Sequence, residues 1–523
     1  MSRWLAFLLF LFVSPAFGAT KPNIVYILCD DLGYGDLSCF NLESKIATPH
    51  FDAVAKAGLM FTDAHSGSSV CSPTRYGIMT GRYAWRSKLQ SGVLGGLSPR
   101  LIEPGRLTVP ALLKQNGYHT ACIGKWHLGM DWVKKEDKRV SELSIETPEQ
   151  VWNVDFTRPY ANGPNSVGFD YYFGIAASLD MVPYTFLEND RVTIVPTVDK
   201  SFEMFLGRKP PTRLGPAAES FEAADVLPRL TEKAVGYIAE RAADAKQGKP
   251  FFLYLPFASP HTPIAPTKDW QGKSGLNYYA DFVLQNDDCL GQVLQALDKH
   301  GLADNTLLIV TSDNGCSPLV DFPELAKLGH HPSYVFRGTK ADIFEGGHRV
   351  PFIVRWPGHI KAGTKSEQTI CHVDLLATCA ELVGAKLPND AGEDSASILP
   401  ALSGNLDEPL REATVHHSAI GTFAIRQGKW KLVFAPHSGG WSEPKPNAKN
   451  MAELPSLQLY DLAADIGEQK NVAEANPKVV DRLFELMQKY IADGRSTPGK
   501  PQKNAVAVDL WKNGTSAKPL PRK

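Results

Sequence analysis

The chain has 523 residues, 43% hydrophobic and 21% charged, a balance that excludes disorder for most of its length and allows a large core. Its 55 basic and 56 acidic side chains give a net charge of -1, which supplies no global attraction for a polyanion, so nucleic-acid binding is set aside. Eight cysteines, none in a CxxC pair, are too sparse for a disulfide scaffold and mostly read as buried small hydrophobes.

Met1 to Gly18 carries one basic residue, Arg3, then an apolar run from Trp4 to Val13 and small residues at Ala16 and Gly18. This pattern predicts a signal peptide over 1–18, too short to span a bilayer, and with no other long apolar run the mature chain is expected to be periplasmic or secreted. Asn23 to Cys29 is a continuous β-branched apolar run that predicts a buried parallel strand, ending at Asp30-Asp31 and a Gly-rich turn. Similar runs occur at His119 to Ile123, Phe251 to Leu255, Thr306 to Thr311 and Phe352 to Arg355. Apolar residues spaced at three and four predict helices over Val109 to Asn116, Leu227 to Ala245, Tyr279 to Leu297 and Val373 to Val383. Strands alternating with helices indicate an α/β fold.

Near Glu412 the texture changes to short strand-like stretches, Phe423 to Arg426, Trp430 to Phe434 and Leu457 to Leu462, around a Gly/Pro/Asn-rich loop from Pro436 to Pro455. With a last helix at about Pro477 to Ile491, they predict a C-terminal α+β subdomain over 412–496, after a main domain over 19–411. The tail 497–523 is expected to be an extended strap or disordered, and Asn513-Gly514-Thr515 fits a glycosylation acceptor.

Two oxygen-bearing pairs stand directly after predicted strands, Asp30-Asp31 and Asp313-Asn314, where ligands of open parallel sheets collect. Four hard oxygen donors suit Ca²⁺ or Mg²⁺ rather than zinc, while the plainer reading makes them turn and helix-cap residues. Between the pairs, Cys71 sits beside a predicted helix start and four residues before Arg75. On physics alone it is either a low-pKa thiolate nucleophile or a buried, inert thiol.

The spacing Cys71-x-Pro73-x-Arg75 with Thr80-Gly81-Arg82 resembles the signature of type I sulfatases of the alkaline phosphatase superfamily. Further motifs in family order carry the resemblance from Lys21 to Ala473, among them Gly124-Lys125-Trp126-His127, Ser259-Pro260-His261-Thr262, Arg337-Gly338-Thr339-Lys340 with Glu345-Gly346-Gly347, and Gly428-Lys429-Trp430-Lys431-Leu432. The resemblance implies an α/β sandwich around a large, mixed, mostly parallel sheet. It also implies that Cys71 is oxidised to formylglycine by a maturing enzyme, and that Ca²⁺ is bound by Asp30, Asp31, Asp313 and Asn314, with Mg²⁺ as the other candidate. Arg75 would then stabilise the hydrated aldehyde, and Lys125 would bridge it to the sulfate. Lys340 and His261 would bind sulfate and approach the leaving oxygen as acid candidates, and His127 would take a proton from the second hydroxyl. Ser178 matches a family sulfate contact only loosely.

An exported member of this family suggests sulfated carbohydrates as substrates. A phosphonate or phosphodiester hydrolase of the same superfamily is the nearest alternative, but those relatives place His after the Asp where this chain has Asn314. An unmatured chain that binds sulfated glycans without turnover is the other. His65, Tyr83, Trp85, Arg86, Trp126, Arg158, Tyr160, His437 and Trp441 are candidates for the pocket rim.

Overall fold

A computed structural model describes residues 21–138, 147–208, 210–404, 406 and 408–512. The signal-peptide segment 1–18 and the Asn513 triplet lie outside the described residues. In chain order, the ten-stranded main sheet comprises β1 (Asn23–Cys29), β2 (Leu59–Phe61), β3 (His119–Lys125), β4 (Tyr171–Ile175), β5 (Leu187–Glu188), β6 (Arg191–Val192), β7 (Phe251–Pro256), β8 (Thr306–Ser312), β9 (Phe352–Arg355) and β10 (Thr364–Ser366). Their spatial order is β10-β2-β9-β8-β1-β7-β3-β4-β5-β6.

The centre of the sheet, β8-β1-β7-β3-β4, is parallel throughout. β9 runs antiparallel to β8 and β2, and β5 and β6 close the other edge as an antiparallel pair. The sheet is therefore mixed and mostly parallel, as expected. Every residue of β1, β7 and β8 is buried, which is why these strands read as unbroken apolar runs: parallel strands covered on both faces need no polar alternation.

One set of helices, Pro49–Lys56, Val226–Lys246 and Tyr278–Lys299, packs together, and a second set joins Cys71–Thr80, Val109–Gln115 and Leu375–Leu382. Asn277 starts the long helix Tyr278–Lys299 by accepting from the amides of Tyr279 and Ala280 at 3.1 and 3.3 Å.

After residue 412 the chain forms a four-stranded antiparallel sheet, Thr414–His417, Phe423–Gln427, Trp430–Val433 and Gln458–Asp461, covered by the helix Pro477–Asp493. The core between this sheet and that helix also takes in Tyr83, Trp85, Cys371 and Val373 of the main fold. Tyr83, Trp85 and Arg86 are thus not at a pocket rim but buried where the main fold meets the C-terminal subdomain. Their large faces fill an internal seam, which residue type alone does not distinguish from an open one. All eight cysteines are unpaired, and all but the half-buried Cys39 are enclosed.

Arg86 makes a bidentate pair with Asp394 (Nε–Oδ2 and Nη2–Oδ1 both 2.8 Å), and its third nitrogen reaches the Tyr490 carbonyl at 2.9 Å and Asn504 Oδ1 at 3.0 Å. One cation therefore ties the main fold to the last helix and to the extended tail. The described part of that tail, residues 497–512, lies along the protein as a strap: Gln502 N donates to Asp493 O and Ala505 N to Arg86 O, both at 2.8 Å, and Trp511 packs on Phe434 and Phe484.

Burial raises the Asp394 pKa, but Arg86 and the Tyr83 amide outweigh it and hold the carboxyl below its ordinary value. A depressed folded pKa contributes stability that is present above the unfolded carboxyl pKa and lost as pH falls through the folded one. Asp394→Asn should cost about 3–5 kcal/mol at neutral pH by leaving Arg86 buried and unpaired. Denaturant unfolding against pH should also show a shallower acid limb in the variant, and an unchanged midpoint at pH 7 would contradict the assignment.

Candidate active site

The carboxyl ends of β1 and β8 deliver four oxygen-bearing side chains to one place. Asp30 N donates to the Ser259 carbonyl (2.9 Å), just past β7, and Asp313 N to the Cys29 carbonyl (3.0 Å), so the carboxyl ends of β1, β7 and β8 are stitched together. Asp31, at φ 65, turns back so that its amide meets Asp313 Oδ1 at 3.2 Å. Asn314 Nδ2 donates to Asp31 Oδ1 at 2.7 Å. The Asn314 Oδ1 atom has no hydrogen-bond partner although the residue is fully buried. A buried acceptor left without a donor is rare and calls for an explanation. With the carboxylates of Asp30, Asp31 and Asp313, such an oxygen would make up a hard donor set of the kind that Ca²⁺ or Mg²⁺ takes. Asp30, Asp31, Cys71 and His261 also bring their ligand atoms within 4.8 Å of one another.

Cys71 opens the helix Cys71–Thr80, every residue of which is buried, and Gly81 in the left-handed region (φ 63) ends it. Its Sγ lies 3.5 Å from Asp30 Oδ1 and 3.6 Å from Lys340 Nζ. Burial is the largest influence on the thiol and raises its pKa despite Lys125 and Lys340, so the unmodified Cys71 is no thiolate nucleophile at neutral pH.

Arg75, one helical turn on, places Nε and Nη2 on Asp313 Oδ2 (3.2 and 2.8 Å) and Nη1 on the Lys125 carbonyl (3.0 Å). Lys125 ends β3, and its Nζ meets Asp30 Oδ2 at 2.5 Å. The preceding Gly124 permits this: at φ 145 a Cβ there would sit 1.9 Å from the Pro256 carbonyl oxygen. Lys340 Nζ contacts both oxygens of Asp31, at 2.7 and 2.8 Å. Burial is the largest single influence and opposes its charge, but Asp31, Cys71 and Asp30 together outweigh it and raise the ammonium pKa. Three carboxylates and three cations thus interleave around Cys71. Burial, followed by the charge of Asp30, pushes Asp313 up to about 7 even with Arg75 beside it.

Two histidines complete the group, and their carbonyl partners fix their tautomers. His261 Nδ1 faces the Thr262 carbonyl at 2.6 Å and must donate to it, which leaves Nε2 as an acceptor 3.7 Å from Asp31 Oδ2. His127 Nε2 donates to the Leu94 carbonyl at 2.8 Å, while Nδ1 is buried with no partner. Burial first, then Lys125 and Arg75, hold its pKa well below the ordinary histidine value, so the ring is neutral and Nδ1 is a bare base. Nothing in the sequence singles out Leu94, since a carbonyl carries no residue-type signal.

Lys340 and His261, at 6% and 7%, are the most exposed members of the group, so access is from their side. Ser178 is buried just past β4, close in sequence to Ala176, whose carbonyl accepts from the His127 amide at 3.0 Å. Of the remaining rim candidates, His65 is enclosed with Asp63 and His348, while Trp126 and Tyr160 are buried. Arg158 is exposed, His437 half-buried and Trp441 46% exposed. The last two belong to a C-terminal loop that docks beside Lys340: the amides of Trp441 and Ser442 donate to Asp342.

Known proteins are similar to this chain in sequence and fold. The family model described as sulfatase matches residues 22–385, and one described as the C-terminal part of N-sulphoglucosamine sulphohydrolase matches residues 339–493. An N-acetylgalactosamine-6-O-sulfatase of Bacteroides thetaiotaomicron is 34% identical over 90% of this chain and 93% of its own length. Human arylsulfatase A is 33% identical over 90% of this chain and 87% of its own. A sulfatase structure from B. thetaiotaomicron, solved in work on the metabolism of multiple glycosaminoglycans, superposes with a TM-score of 0.76 at 32% identity, covering 90% of this chain and 99% of that one. The fold and the matched motifs define a hydrolase of sulfuric esters. The chain belongs to the type I sulfatase family.

Proposed function

We propose that the protein is an exported enzyme that removes sulfate from sulfated carbohydrates, with formylglycine made from Cys71 as nucleophile and Ca²⁺ at Asp30, Asp31, Asp313 and Asn314. Mg²⁺ suits the same oxygens. The observation that carries this reading is the meeting of Cys71 Sγ, Lys340 Nζ and the Asp30–Asp31 carboxylates beside the unpartnered Asn314 oxygen. The names of the relatives support a sulfated sugar as substrate. The apolar leader at 1–18 supports export, and no helix among the described residues is long and apolar enough to cross a membrane.

Formylglycine would supply the attacking oxygen, and the cation would polarise the sulfate toward it. The chain's own groups do the rest. Arg75, immobilised by Asp313 and the Lys125 carbonyl, holds residue 71 from one side. Lys125 and Lys340 bring two ammonium groups to the anionic head, in a site dry enough for their charge to count. Of the two acid candidates, Lys340 keeps a proton on Nζ, whereas His261 spends its Nδ1 proton on Thr262 and presents a bare Nε2. Lys340 is therefore the donor to the leaving alcohol oxygen, and His261 Nε2 can accept a hydrogen bond from the alcohol once that proton has been transferred. His127 Nδ1 takes up the proton that must leave residue 71 when sulfate departs.

Sulfate monoesters should exceed matched phosphate monoesters in kcat/KM by at least about a hundredfold, about 2.7 kcal/mol of transition-state stabilisation. Phosphate carries more negative charge and would need a further cationic centre. The Asp63–His65–Glu345 cluster does not supply one, because Arg349, Arg426 and Lys431 already neutralise it. Rates on 4-nitrophenyl sulfate and 4-nitrophenyl phosphate test this, and equal or reversed rates would favour the phosphonate or phosphodiester alternative.

A further inference from the structure

Lys340 stands on a turn that does not hold itself. Its neighbour Ala341 is in the left-handed region at φ 79, where a residue with a Cβ is strained, and such backbone persists only where its surroundings fix it. The Lys340 amide donates to the Cys316 carbonyl and the Ala341 amide to the Ser69 carbonyl, both at 2.9 Å. The carboxylate of Asp342 does the remaining holding. It is fully buried and, among the described residues, has no cation within ion-pair range. Hydrogen-bond donors alone satisfy it.

Those donors come from two directions. From the turn, Thr339 N reaches Asp342 Oδ2 at 2.8 Å and Thr339 Oγ1 reaches it at 3.4 Å, which straps the residue before Lys340 to the second residue after it. From the C-terminal loop, Trp441 N and Ser442 N reach Oδ1 at 2.7 and 3.0 Å, and the Ser442 hydroxyl reaches Oδ2. The backbone adds two more ties, Ala419 N to Ala341 O at 3.0 Å and Ile343 N to Ser438 O at 2.7 Å. The loop comes this close because residue 440 is glycine: a Cβ there would lie 2.4 Å from the Ala341 carbonyl oxygen and 2.5 Å from Asp342 Oδ1.

We infer that Asp342 is a positioning residue for Lys340, and that through it the loop 437–442 keeps the Lys340 ammonium aimed at the leaving oxygen. The inference rests on the reading of Lys340 as general acid. A displaced acid costs most where the leaving group most needs a proton, so the loss should scale with leaving-group basicity. A general loosening of the fold would instead slow all esters alike.

The test compares 4-nitrophenyl sulfate with phenyl sulfate, esters of similar size whose leaving groups differ in basicity, on the matured full-length enzyme. A misplaced acid forfeits part of the roughly 10²–10⁴-fold that such groups contribute. Asp342→Asn should therefore lower kcat/KM for phenyl sulfate about tenfold or more beyond its effect on the nitrophenyl ester. Ser442→Ala removes one donor and leaves the carboxylate, so it should shift the same ratio in the same direction by about threefold and serves if Asp342→Asn does not fold. Lys340→Ala is the reference. If it shows the leaving-group dependence and the other two variants slow both esters equally or not at all, the positioning role is overturned. If Lys340→Ala itself shows no such dependence, the acid role of Lys340 fails and this inference falls with it.

Discussion

Replacing Cys71 by alanine should lower kcat for sulfate-ester hydrolysis by at least about 10⁴-fold, the scale on which removal of a covalent nucleophile is felt when other members of a site survive. The loss should not come from unfolding. Cys71 sits at the first position of its helix and contributes only weak sulfur contacts to Asp30 and Lys340, so its truncation leaves the ion pairs among Arg75, Lys125, Lys340 and the carboxylates in place. A thermal midpoint within a few degrees of the parent, together with lost turnover, is the expected pair of results. Peptide mass spectrometry of the parent should find an aldehyde or its hydrate at residue 71. An alanine variant that kept activity within tenfold of the parent would remove residue 71 from the chemistry.

Chelation is the second large effect. Dialysis against EDTA should reduce kcat/KM by about 10³-fold or more, since a Lewis acid on the sulfate oxygens is worth several kcal/mol of transition-state stabilisation. Activity should return on adding Ca²⁺ or Mg²⁺, and the more effective ion identifies the native occupant. Asn314→Ala deletes the unpartnered oxygen and should raise the cation concentration needed for half-restoration. Full activity in protein shown by elemental analysis to hold no divalent cation would count against the metal.

The strands that carry the site were legible because each is buried on both faces. Asn23–Cys29 and Phe352–Arg355 coincide with their apolar runs, and the others differ only at their ends. Short strands such as Leu59–Phe61 and Leu187–Glu188 gave no comparable signal, because so few residues establish no period. Within the site, Asp30, Asp31, Cys71, Arg75, Lys125, His261, Asp313, Asn314 and Lys340 are brought together as their order in the motifs suggested. The roles of the histidines were not decidable from residue type, since they depend on which ring nitrogen meets a backbone carbonyl. Arg86 was misread for a similar reason. Its residue type alone allowed a place at the rim, but its partner Asp394, remote in sequence, encloses it.

The enclosure of Cys71 sets an order of events in the life of the chain. With 2% of its surface accessible and its sulfur among Asp30 and Lys340, the side chain is out of reach of another protein's active site once the helix and sheet have docked. The maturing enzyme that the proposed formylglycine requires would therefore have to meet this segment while it is still extended, between synthesis and folding. On that proposal the fraction of active molecules would be set by a race between two rates, modification and collapse. A slower-folding variant, or a lower temperature during production, can yield more competent enzyme from the same sequence.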